Sequence, residues 1–99
     1  NNRSPDIKIA INNLDESQLI DNDQIFVLTP RELSNEELSE IIKISLYSKI
    51  KLNKVNDINE IKLNQYIWIP NKNIGEYNFL KTVLRQKNIS EWVLAKKVI

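Results

Sequence analysis

The acids Glu32, Glu36, Glu37 and Glu40 lie close together in the sequence and are the residues most able to do chemistry. Two carboxylates flanking one bond can hydrolyse a glycoside, one as general acid and the other as nucleophile or base. A simpler role is available to them. Ser34 followed three residues later by Glu37 is a capping box, and acids in a first helical turn complement its partial positive charge. No histidine or cysteine is present, so imidazole and thiol catalysis are excluded and a transition-metal site has few ligands to draw on. Gly75 is the only glycine, which leaves no glycine-rich loop to cradle a phosphate. These residues predict no catalytic group, no metal and no cofactor.

Binding is the other chemistry to consider, and the stretch from Asn53 to Pro70 is its best candidate. It reads as a polar loop, a tight turn and a short strand. Tyr66 to Ile69 are aromatic or β-branched and suit a pleated surface. Pro70 lacks the N–H that would continue a ladder. Asn64 stands where the turn needs a positive φ, which asparagine tolerates.

The pattern Asn-x-Val-x-Asp-x-Asn-x-Ile followed by Leu-Asn-Gln-x-Ile-x-Ile-Pro resembles the second half of a lysin motif (LysM) domain, with Asn64 in place of that family's glycine. The preceding run from Ile44 to Asn53 resembles the family's second helix, and the whole match spans Gln24 to Pro70. The resemblance implies a strand–helix–helix–strand core and a groove for N-acetylglucosamine glycans such as peptidoglycan. Carried over residue by residue, the groove's first loop is Thr29, Pro30, Arg31 and Glu32. Its second is Asn53, Lys54, Val55, Asn56, Asp57 and Ile58, with Val55 and Ile58 supplying part of an apolar patch. Pro30-Arg31-Glu32 replaces the family's Gly-Asp-Thr, and proline removes a backbone donor there.

These loops need elements to hold them. Gln24 to Thr29 is expected to be the first strand, and a helix follows Ser34 with Leu38, Ile41 and Ile42 as its apolar stripe. Ser45 is expected to cap a second helix carrying Leu46, Ile50 and Tyr47 inward. By the resemblance, Ile25, Val27, Ile67 and Ile69 face the helices. Phe26, Leu28, Tyr66 and Trp68 then lie on the opposite face, which needs a cover. Two extensions can provide it. In residues 1–23, Ile7, Ile9 and Ile11 alternate as in a half-buried strand. An acidic stretch with Leu14, Leu19 and Ile20 follows, with room for a helical turn after Asp15. In residues 71–99, Asn73 can cap a helix bearing Tyr77, Leu80 and Leu84, closed by Gln86 to Asn88. Ser90 can cap a shorter one with Trp92 and Val93, against a competing strand from Trp92 to Ile99. The fold class expected is α+β: a LysM-like core over residues 24–70 with an added N-terminal strand and a C-terminal helical extension.

Fourteen lysines and arginines against 13 acids give a net charge of +1, which offers no surplus for nucleic acid. No stretch approaches the roughly 20 apolar residues of a membrane span. Beginning at Asn1, the chain is expected to be part of a longer protein. The resemblance places that parent in the periplasm or cell envelope. Two functions follow: a non-catalytic glycan-binding module, or a module with an altered groove that contacts an envelope protein.

Overall fold

The computed structural model describes residues 24–30, 32–48, 50–84 and 91–99. The expectations for residues 1–23, for Arg31 and for residues 85–90 lie outside them. In chain order the elements are strand β1 (Gln24–Leu28), helix α1 (Asn35–Tyr47), strand β2 (Lys51–Val55), a 3-10 turn (Ile58–Glu60), strand β3 (Tyr66–Pro70), a second 3-10 turn (Ile74–Glu76), strand β4 (Leu80–Leu84) and strand β5 (Trp92–Lys97). The fold is a small mixed α+β one. The strands form a single sheet in the order β2-β1-β3-β5-β4. β1 runs parallel to both β2 and β3, while β5 is antiparallel to both β3 and β4. Parallel neighbours need a long crossover, and α1 supplies the one from β1 to β2. No helix among the described residues is long and apolar enough to cross a membrane.

The capping box forms as read: the Ser34 hydroxyl accepts from the Glu37 amide at 3.0 Å and the Glu37 carboxylate accepts from the Ser34 amide at 2.8 Å. Asn64 has φ 70, its amide donates to the Lys97 carbonyl, and the Lys97 amide donates to Gln65. The turn before β3 is thereby tied to the end of β5.

Two expected helices are absent among the described residues. Ser45 does not cap a second helix. It lies inside α1, returning its hydroxyl to the Ile41 carbonyl at 2.9 Å, so the first helix runs on through Leu46 to Tyr47. Residues Lys51 to Val55 are then claimed by β1, which pairs with them residue for residue from Gln24↔Lys51 to Leu28↔Val55. Pairing with a buried strand outweighs the local helical pattern. The strand–helix–helix–strand core therefore does not form.

Beyond Pro70 the helical extension is replaced by two strands. Asn73 bonds Glu76 through its side chain, but the helix there is a single 3-10 turn and Leu80 enters β4. Trp92, Val93, Leu94 and Ala95 are all buried, the unbroken apolar run of a strand covered on both faces. The competing strand reading from Trp92 is the one observed.

The faces of the sheet also differ from expectation. β1 and β3 pair with Phe26 opposite Ile67 and Val27 opposite Trp68. Side chains on paired residues share a face, so Ile25 and Val27 join Tyr66 and Trp68 beneath α1, with Ile44, Trp92 and Leu94. Phe26 and Leu28 share the other face with Ile67 and Ile69, covered by Ile58, Ile61, Ile74, Tyr77 and Phe79 from the turns. The two buried tryptophans differ in one respect. The Trp92 indole donates to the Glu37 carbonyl at 2.8 Å, whereas the Trp68 indole N–H has no hydrogen-bond partner. Trp68→Phe deletes an unsatisfied donor along with some packing, while Trp92→Phe loses a made bond to a carbonyl at the start of α1. Trp92→Phe is therefore expected to cost about 1 kcal/mol more than Trp68→Phe, read by chemical denaturation of both variants.

Candidate functional site

Because β1 and β2 are parallel and end together at Leu28↔Val55, the segments that follow them leave the sheet side by side. The Thr29 amide donates to the Val55 carbonyl at 2.9 Å. The Thr29 hydroxyl donates at this junction too, 3.2 Å from the Val55 carbonyl and 2.8 Å from Asn56 Oδ1. The two loops expected to flank a groove do meet, through paired strand ends and without a second helix.

Not every expected site residue takes part. Pro30 is half-buried and Glu32 is exposed, its carbonyl 3.4 Å from Lys72 Nζ; Arg31 lies outside the described residues. Asn53 and Lys54 belong to β2, and the Asn53 side chain is held by Gln24 at the start of β1. Asp57 accepts from the Asn59 amide at 2.9 Å and so caps the 3-10 turn. The apolar patch assigned to Val55 and Ile58 is spent on the core: Val55 is buried and Ile58 packs on the same cluster. Thr29, Asn56 and Asp57 are left to form a polar rim.

The apolar surface lies elsewhere. A groove of about 470 Å3 runs between α1 and the β1–β2 pair, lined by Val27, Leu33, Leu38, Ile41, Ile42, Leu46 and Leu52, with Thr29, Ser45 and Lys54 at its edge. Leu38, Ile42 and Leu46 are 44%, 57% and 76% exposed. Their spacing of four puts them along one side of the helix, outside the stripe of Ile41 and Ile44 that meets the sheet. A shallower depression bounded by Pro30, Glu32, Leu33 and Leu38 continues the groove toward the first loop. The sequence carried the signal, but splitting the helix at Ser45 separated Leu46 from Leu38 and Ile42 and hid the stripe.

The clustered acids divide by role. Glu32 and Glu36 are exposed. The Glu40 carboxylate accepts from the amides of Glu91 at 2.9 Å and Trp92 at 3.2 Å, where β5 begins. Glu37 is buried in the capping box and pairs with Lys72 at 3.0 Å. Burial pushes the Glu37 carboxyl up, but the Ser34 amide, the Lys72 ammonium and the Ser34 hydroxyl together hold it below the ordinary 4.5.

No family model, curated protein or solved structure matches this chain, so the lysin-motif resemblance rests on the residues quoted above.

A carboxyl held low when folded stabilises the fold in its ionised form. That contribution is complete above the unfolded value near 4.5 and is lost as pH falls through the lower folded value. Glu37→Gln keeps a capping side chain and removes the charge. At neutral pH it is expected to cost about 1 kcal/mol, since Lys72 is half in water and its pairing is partly screened. Unfolding curves of variant and parent should converge below pH 4.5.

Proposed function

We propose that the chain is a non-catalytic interaction module that docks a protein segment in the groove between α1 and β2. The exposed stripe of Leu38, Ile42 and Leu46 beside a sheet edge carries this reading. A helix in a monomer ordinarily turns such a row toward its own core, and contiguous apolar surface marks contact sites. The groove is apolar along its length with polar groups only at the rim, which suits aliphatic side chains better than a sugar. In this reading β1, α1 and β3 correspond to three elements of the lysin motif, with β2 where its second helix would stand. A place in the bacterial cell envelope follows from that resemblance alone.

The test is capture of envelope proteins from the source cell by the tagged chain, compared with Ile42→Asp and Leu46→Asp. Both positions are more than half exposed, so the variants should keep the parent's stability to within about 0.5 kcal/mol. The captured partner should be lost from both and should persist on the parent in about 0.5 M salt, where surface charges are screened. Equal capture by parent and variants would overturn the reading.

A second reading is favoured by one observation, the meeting of Thr29 with Val55 and Asn56 where the resemblance puts a sugar groove. If that rim binds glycan, titration with an N-acetylglucosamine oligomer should shift the amide signals of Thr29 and Asn56 to Ile58, and Asn56→Ala should abolish the shift. No shift at about millimolar sugar, a weak affinity near 4 kcal/mol, would remove glycan binding.

A further inference from the structure

We propose that the partner of this groove adds to β2 as an extended strand that is aliphatic at alternate positions and acidic overall. The inference rests on the docking reading above and names the partner's chemistry. Among the described residues β2 pairs with β1 alone, at one end of the strand order. The Thr29 amide reaches the Val55 carbonyl, so Val55, and with it Asn53 and Lys51, bonds toward β1. The intervening residues of a strand paired on one side direct their amides and carbonyls to the other edge. Leu52 and Lys54 therefore hold their backbone groups outward, a template for a further strand.

The same two residues turn their side chains into the groove, beside the exposed Leu38, Ile42 and Leu46. A strand laid on this edge sets every second side chain against that apolar lining. Backbone hydrogen bonds and side-chain pockets are thereby joined, the two parts of β-strand addition. A helical segment would fill the lining and leave the edge of β2 unanswered.

Charge selects which strand. β2 carries Lys51 on one face and Lys54 on the other, both exposed, and it has no acid. The described residues lining the groove include no acid either, and Glu32 stands in the depression beyond it. An acidic strand meets complementary charge on both faces, whereas a basic one is repelled. A second copy's β2 would bring its own lysines to the same seam, and lysine on an edge is a common bar to self-pairing.

Two capped peptides of about seven residues serve as probes, both with isoleucine at alternate positions, one with glutamate between and the other with lysine. The glutamate peptide is expected to slow hydrogen exchange at the Leu52 and Lys54 amides of the full chain. It should leave Lys81 and Thr82 on β4, the opposite edge, unchanged. The lysine peptide should bind about tenfold more weakly, a gap that closes at about 0.5 M salt. Ile42→Ser removes apolar contact without adding charge and should weaken the glutamate peptide about tenfold. Lys51→Glu together with Lys54→Glu should exchange the preference for the two peptides; both side chains are exposed, so the fold should stand. Slowed exchange on β4 as well, equal binding of both peptides, an unchanged preference in the double variant, or no binding at about millimolar peptide would each overturn the proposal. Binding that shifts the methyl signals of Leu38, Ile42 and Leu46 but leaves the Leu52 and Lys54 amides unprotected overturns strand addition and leaves docking in the groove intact. Protection of those amides in the free chain would also overturn it, giving the edge to a second copy if protection grows with protein concentration and to the same chain if it does not. The peptides need no cell extract, so a failed capture does not touch this result.

Discussion

The structure depends on how the first turn of α1 is clasped to the start of β5. Glu37 gives its side chain to the capping box and to Lys72, and its backbone carbonyl to the Trp92 indole. Glu40, one turn on, receives the amides of Glu91 and Trp92. Three separate problems are solved at one place: the orphan amides of a helix start, the entry of β5, and a buried indole donor. α1 is the crossover between β1 and β2 in one half of the sheet, while β5 pairs β3 and β4 in the other. The clasp fixes the helix above the middle of the sheet, and that position decides which of its apolar residues meet the core. Ile41 and Ile44 turn inward; Leu38, Ile42 and Leu46 are left over β2.

What the sequence disclosed was mostly local. The Ser34–Glu37 box, the left-handed Asn64, and strands over Gln24–Leu28 and Tyr66–Pro70 each rest on interactions within a few residues, so their signals survive without knowledge of the fold. The failures are non-local. Lys51 to Val55 is as compatible with a helix as with a strand until β1 offers it an edge, and the Tyr77–Leu84 stripe holds Thr82 and Val83, which a strand accommodates at least as well. The faces of the sheet depend on non-local pairing in the same way. Pattern alone gives alternation; the pairing of Phe26 with Ile67 decides which alternate residues share a side.

The candidate site shows how one stretch can keep its position and change its chemistry. The loops after β1 and β2 meet at Thr29 and Asn56, as the resemblance to the lysin motif implies for its binding groove. Val55 and Ile58, which were to offer a sugar its apolar patch, are drawn into the core by the 3-10 turn that Asp57 caps. The same conversion of a second helix into β2 that removed the patch left α1 with an uncovered flank. The burial of the loop's apolar residues and the exposed apolar flank of α1 thus go together.

The order of the strands has a consequence for how the molecule is made. β1 is the first described strand to leave a ribosome, yet it sits inside the sheet between β2 and β3, and β5, the last described strand to be made, is also interior. During synthesis β1 waits with one edge open until Tyr66 to Pro70 emerge, and β3 waits in turn for Trp92 to Lys97. The clasp on Glu40 joins residues 51 and 52 positions apart and closes only after the start of β5 has been made. Such distant pairings are slow to form and leave sticky edges in the meantime. A nascent chain halted before Trp92 therefore carries a half-built sheet whose open β3 edge is rich in isoleucine and tryptophan, a surface prone to aggregation.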